Sequence, residues 1–205
     1  VRRRLALSII LACIFAAIVC LFWYQEGKYI LPTPLPENYR VVVPGEVIHY
    51  DTALIPQQHK KPILLHFFNP DCPCSRFNSK HFYSLQRTYK DQIDFFVVVE
   101  SQEKVQPARK LIQTDVTILV DADERLAKIC GVYSTPQAAL IQTNNQLYYR
   151  GNYNRARYCT AKNTNYVEMA LDSIVANKQA PYFGELATIS YGCSLHEEDY
   201  IFDLP

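Results

Sequence analysis

The chain's 205 residues, 49% hydrophobic and 20% charged, suit one domain of ordinary size with appendages and a sizeable core. Its formal charge is +1, but Arg2, Arg3 and Arg4 lie outside the expected domain. Removing these three from the 21 basic residues leaves 18 against 20 acidic ones, so no basic stripe survives and nucleic acid is excluded as a partner.

In chain order, Leu5 to Tyr24 is an apolar run without charge, and as a helix it spans about 30 Å, the thickness of a bilayer's hydrocarbon core. Arg2-Arg3-Arg4 precede it and Phe22-Trp23-Tyr24 close it, the flanks of an anchor with a cytoplasmic N-terminus. A cleaved signal peptide is the rival reading, but no small-x-small site follows the run. A lipoprotein cut before Cys13 would leave an unusually short apolar core. The expected organisation is an anchor over 1–24, a spacer over 25–38 with Pro32, Pro34 and Pro36, and one domain over 39–205.

Tyr39 to Tyr50, rich in β-branched residues and broken by Pro44-Gly45, predicts a hairpin or edge strand. Asp51 to Lys61 reads as loop. Ile63 to Phe68 is a buried strand bounded by prolines, and Phe82, Leu85 and Tyr89 stripe a helix that follows. Between them lies Asn69-Pro70-Asp71-Cys72-Pro73-Cys74-Ser75, so the cysteines stand where strand passes to helix. Pro73 suits the first helical turn and Asp71 the N-cap. A thiolate there is stabilised by unpaired amides and the helix dipole, which lowers its pKa.

Ile93 to Val99 predicts a strand buried on both faces. Lys104 to Thr114 predicts a crossover helix with Pro107 in its first turn, and Val116 to Val120 a further strand. Glu124 to Cys130 reads as a helix with Gly131 at its C-cap. Gln137 to Ile141 and Gln146 to Arg150 flank Asn144-Asn145, a two-residue hairpin signal. Tyr166, Val167, Ala170, Leu171, Ile174 and Val175 stripe a last helix.

This order, a cysteine turn after the first core strand and Thr135-Pro136 before a hairpin, resembles the thioredoxin-like superfamily. With Cys72-Pro73, Tyr149-Arg150-Gly151 and the tail Tyr191-Gly192-Cys193-Ser194-Leu195, the resemblance is to its redoxin-type branch and spans Tyr39 to Leu195. It implies an α/β fold, a three-layer α/β/α sandwich around a central mixed sheet, preceded here by one transmembrane helix. It also implies a cis Pro136 packed beside Cys72, with the backbone of Thr135 open to pair with an extended substrate peptide. Two departures stand out. Ser75 takes the place of a thioredoxin's second cysteine, with Cys74 one position early. Asn69 takes the place of a peroxiredoxin's hydroxyl residue, which argues against peroxidase activity.

Seven cysteines are present; Cys13 and Cys20 fall in the apolar run, leaving Cys72, Cys74, Cys130, Cys159 and Cys193. An odd set not spaced like a disulfide-stapled mini-protein points to redox or metal chemistry. Cys72 is the candidate nucleophile, and either Cys74 or Cys193 the thiol that resolves a mixed disulfide. The family resemblance leans toward Cys193, on a tail that folds back, whereas Cys74 needs no such movement. Cys130 reads as core, and Cys159 as a loop cysteine or a structural partner of Cys193. His66 reads as a buried core histidine, and His81 lies too far along the helix for direct base chemistry. His196 with Cys72, Cys74 and Cys193 would form a thiolate–imidazole set suited to copper.

The leading expectation is therefore a membrane-tethered thiol–disulfide oxidoreductase without a cofactor. Its partners would be protein thiols or disulfides, or a membrane electron donor, with the domain in the periplasm and the anchor in a bacterial inner membrane. The alternatives are a copper chaperone on the same scaffold and a redox-inactive module that binds a partner along Thr135 and Pro136.

Overall fold

A computed structural model describes residues 2–27, 31–50, 55, 60–155 and 162–195. The chain divides into two compact units, Val1–Pro32 and a second that begins at Thr33. The first unit holds α1 (Arg2–Gly27), whose 26 residues amount to about 39 Å of helix. Its apolar side chains, from Leu5 to Tyr24, are exposed, and the helix is long and apolar enough to cross a membrane.

The second unit is built on a five-stranded mixed sheet, in the order β3 (Thr117–Val120), β2 (Asp94–Val99), β1 (Ile63–Phe67), β5 (Gln137–Ile141), β6 (Leu147–Gly151). β1, β2 and β3 are parallel; β5 runs antiparallel to β1, and β6 antiparallel to β5. Alternation along the strands splits the core into two layers. Leu64 and Val97 join one layer with Phe82, Leu85, Val167 and Leu171, while Leu65 and Val98 join the other with Leu126, Ala127 and Cys130.

The layers follow from the order in which the strands are laid down. The chain steps in one direction from β1 to β2 to β3, so right-handed crossovers place α2 (Pro73–Tyr89) and α3 (Gln102–Ile112) on the same face. It then returns past β1 to reach β5, and α4 (Arg125–Cys130) covers the opposite face. α5 (Tyr166–Val175) packs on the α2 face. This is the thioredoxin-like sandwich. α6 (Glu185–Thr188) lies near the end of β6, and a separate two-stranded ladder joins β4 (Ser134–Thr135) to β7 (Cys193–Ser194).

Several elements differ from expectation. The domain begins six residues before Tyr39: Thr33 is buried, and its amide donates to the Ser190 carbonyl at 2.8 Å, so the spacer is shorter than 25–38. The segment 39–50 forms no regular strand. Pro44 and a left-handed Gly45 (φ +95°) break it, although bonds from Gly45 to Leu147 (2.7 Å) and from Ile48 to Asn145 (2.8 Å) lay it beside the hairpin. Val42 and Ile48 then cover the α4 layer. The Gln137–Gly151 hairpin turns through three residues rather than two: Gln142 pairs with Gln146, and Asn145 takes the left-handed conformation (φ +63°). α3 starts at Gln102, which puts Pro107 inside it rather than in its first turn. Gly131 ends α4 in the left-handed conformation (φ +68°), as a C-capping glycine does.

Candidate active site

The Asn69–Ser75 turn is built by local hydrogen bonds. The Asp71 amide donates to Asn69 Oδ1 at 2.9 Å and the Cys72 amide to the Asn69 carbonyl at 3.1 Å. Arg76 Nε reaches the Pro70 carbonyl at 2.8 Å. These bonds place Cys72, not Asp71, at the N-cap of α2, in extended conformation, with Pro73 as the first helical residue. The Asp71 carboxylate turns outward instead and pairs with Lys104 of α3. Lys104 also donates to Asn69 Oδ1 at 3.3 Å and meets Glu100 at 3.0 Å, so one ammonium ties the turn to the neighbouring helix.

Cys72 is disulfide-bonded to Cys193, across a sequence separation of 121 and a Cα–Cα distance of 6.0 Å. Its sulfur lies 3.6 Å from the carbonyl oxygen of Thr135, and the Thr135–Pro136 peptide is cis. The two regions marked out in the sequence, 63 positions apart, thus meet at the start of α2. Cys72 is 2% exposed, whereas Cys193 is half-buried.

The expected open backbone at Thr135 is not open. Thr135 pairs with Cys193 and Ser134 with Ser194, so the chain's own tail lies in the position foreseen for a substrate peptide. The tail is held from both sides. On one, the Leu195 amide donates to the Tyr133 carbonyl (3.1 Å), the Ser190 amide to the Tyr133 hydroxyl (2.9 Å), and the Ser134 and Ser190 hydroxyls meet. On the other, the Thr33 hydroxyl donates to the Gly192 carbonyl and accepts from the Gly192 amide, both at 3.0 Å. Gly192 itself presses against Thr135. A Cβ added there would overlap the Thr135 carbonyl oxygen and lie 3.0 Å from its carbonyl carbon.

Cys74 is buried at 2% exposure and outside any disulfide, as is Cys130. Burial, reinforced by the negative charge of Asp121, pushes the Cys130 thiol well above its ordinary range. With Cys193 bonded to Cys72, the alternative in which Cys159 pairs with Cys193 does not hold in this structure; Cys159 and His196 themselves lie outside the described residues. Among the described residues no three His, Cys, Asp or Glu side chains cluster as a metal site.

Behind the turn, His66 projects from β1 into the α2 layer. It is fully buried, stacked on Phe82 with ring centroids 4.3 Å apart, and its Nδ1 is 2.8 Å from the Tyr153 hydroxyl. Burial, and secondarily the charge of His81, lowers its pKa to about 3. His81, edge-on to Tyr153 at 6.0 Å, is also lowered, chiefly by burial.

Sequence reasoning did not foresee the parts played here by Thr33, Tyr133, Ser190, Lys104 and Tyr153. The Gly192-Cys193 pair is marked in the sequence only through the redoxin-type resemblance.

Residues 45–195 match the protein family described as "Domain of unknown function (DUF6436)". Among solved structures, a hypothetical protein from Sinorhizobium meliloti matches with a TM-score of 0.63 and 19% identity, over 76% of this chain and 94% of that one. An uncharacterized conserved protein from Geobacillus kaustophilus matches with a TM-score of 0.62 and 15% identity, over 82% and 99% respectively. The thioredoxin domain of a thiol-disulfide oxidoreductase from Bacteroides vulgatus aligns less closely, with a TM-score of 0.47 and 14% identity over 58% and 96%. No curated protein matches significantly.

Proposed function

Because the chain belongs to the DUF6436 family, whose description assigns no chemistry, its sulfur geometry has to carry the function, and we propose that it is a thiol–disulfide oxidoreductase tethered to a membrane by α1. The observation that carries this reading is the Cys72–Cys193 disulfide at the first turn of α2, on a thioredoxin-like sandwich. A sulfur at a helix start is a good leaving group and a good attacking group, since the unpaired amides there favour its anionic form.

In the reduced protein the Cys72 thiolate attacks one sulfur of a substrate disulfide. A Cys72–substrate disulfide forms and the substrate's other sulfur departs as thiolate, taking up a proton. The Cys193 thiolate then attacks Cys72 Sγ, the second substrate sulfur leaves, and the Cys72–Cys193 disulfide is restored. The substrate gains two electrons and the protein loses two. An external dithiol, from another protein or a membrane electron donor, reduces the protein again and becomes a disulfide itself. Cys193 is the resolving thiol in this scheme, because Cys74 is turned into the core on the helix that Cys72 caps.

The Arg2–Arg4 flank supports an N-terminus in the cytoplasm and a domain on the outer side of a bacterial inner membrane, a compartment where disulfides persist. Turnover of a disulfide substrate by the chain in detergent, with dithiothreitol as reductant, tests the mechanism. Cys72→Ser is expected to abolish turnover, Cys193→Ser, mixed with the substrate before dithiothreitol is added, to stop at a mixed disulfide on Cys72, and Cys74→Ser to retain activity. Undiminished turnover by Cys72→Ser would overturn the reading.

A further inference from the structure

The tail strand occupies the substrate position, so its fit describes what the position accepts. In that register the residue before the reactive cysteine, Gly192, faces the Thr135 carbonyl so closely that any Cβ would overlap it. The obstructing atoms belong to the backbone. They cannot rotate away as a flexible side chain would, and the same Thr135 carbonyl lies 3.6 Å from the Cys72 sulfur. One residue later the demand disappears, since the Cys193 side chain reaches Cys72 and Ser194 continues the ladder.

We infer that the strand slot along Thr135 is a specificity filter, and that the polypeptides whose disulfides this protein exchanges present an extended Gly-Cys segment to Cys72. This rests on the proposed exchange at Cys72 and adds its substrate class. The Gly192-Cys193 tail is then a built-in competitor of the same shape. It withdraws when the substrate strand enters and, as Cys193 attacks Cys72, re-enters as the substrate strand departs. The filter acts by position, because a side chain at the residue before cysteine pushes the strand away from Thr135 and carries the substrate sulfur off the line to Cys72.

The test uses the 205-residue chain in detergent with Cys193→Ser, equilibrated with peptides Tyr-X-Cys-Ser in a glutathione redox buffer. Intact mass then measures the mixed disulfide on Cys72. With X as glycine, the peptide adduct is expected to exceed that with X as alanine by about tenfold, equivalent to about 1.4 kcal/mol, and valine is expected to fall lower still. A second measurement leaves both reactive cysteines in place. Gly192→Ala is expected to lower the equilibrium constant for forming the Cys72–Cys193 disulfide, against glutathione, by about tenfold. Equal adducts with glycine and alanine, or an unchanged constant in Gly192→Ala, would overturn the filter while leaving exchange at Cys72 intact. Failure of Cys72 to form an adduct even with glutathione would instead remove the exchange reading, and the filter with it.

Discussion

Replacing Cys193 with serine removes one sulfur atom from a half-buried position, yet its expected effect on stability is among the largest available to a single substitution. The disulfide closes a loop with a sequence separation of 121. In the chain-entropy account, closing a loop of that size lowers the entropy of the unfolded ensemble by about 16 cal/mol/K, or about 4.9 kcal/mol at 25 °C. Retained structure in the reduced chain trims this, so a loss of about 2–5 kcal/mol is expected, set against the roughly 5–15 kcal/mol that holds a typical domain folded. The ladder of β4 and β7 and the Thr33 bracket remain in the variant, and as hydrogen bonds each contributes only about 1 kcal/mol, so they do not replace the crosslink. The measurement is urea unfolding of the chain in detergent, followed by tyrosine near-ultraviolet circular dichroism. It compares oxidised protein, reduced protein, Cys193→Ser and Cys74→Ser. Reduced protein and Cys193→Ser should coincide below the oxidised form, and reduction should change Cys193→Ser no further. Cys193→Ser stability within about 0.5 kcal/mol of the oxidised protein would refute the reasoning.

Two further outcomes follow from buried polar groups. His66 stays neutral in the folded protein down to about pH 3, whereas in the unfolded chain it takes a proton below about 6.5, so acid stabilises the unfolded state. Between those limits His66 alone should lower stability by about 1.4 kcal/mol per pH unit, with His81 adding in the same direction, and His66→Phe should make the slope shallower in urea titrations run from pH 7 to 5. Asp121 accepts the amides of Leu126 and Ala127 at 3.0 and 2.9 Å, at the start of α4, while itself buried. Asp121→Ala should therefore cost about 1–3 kcal/mol in the same assay, and an unchanged midpoint would count against that capping role.

The strands were legible because they are short, nearly unbroken apolar runs that lie between turn residues. β1, β2 and β5 were each placed within a residue or so, and the stripe at Phe82, Leu85 and Tyr89 marked α2. What escaped were interactions with no local pattern. Thr33 sits among prolines that read as a spacer, and nothing nearby indicates that its partner is Gly192, 159 positions away. Asp71 looked like an N-cap because aspartate is a common one, but the Lys104 ammonium competes for its carboxylate and Cys72 takes the cap position. The pairing of Thr135 with Cys193 was hidden for a different reason. A two-residue strand carries no periodicity at all, so the tail could be expected to fold back without its landing place being readable. The sequence marks His66 as a core residue, while its Tyr153 partner, 87 positions on, leaves no sign there.

The unequal cover over the two bonded sulfurs has a kinetic consequence. A thiolate breaks a disulfide by approaching in line from behind the sulfur it strikes, and Cys72, with 2% of the residue in contact with solvent, is the less accessible of the two targets. Cys193 is only half-buried. On the proposed exchange, a reductant is therefore expected to strike Cys193 and expel Cys72 as the departing anion, and trapping with a radiolabelled monothiol should find the label on Cys193.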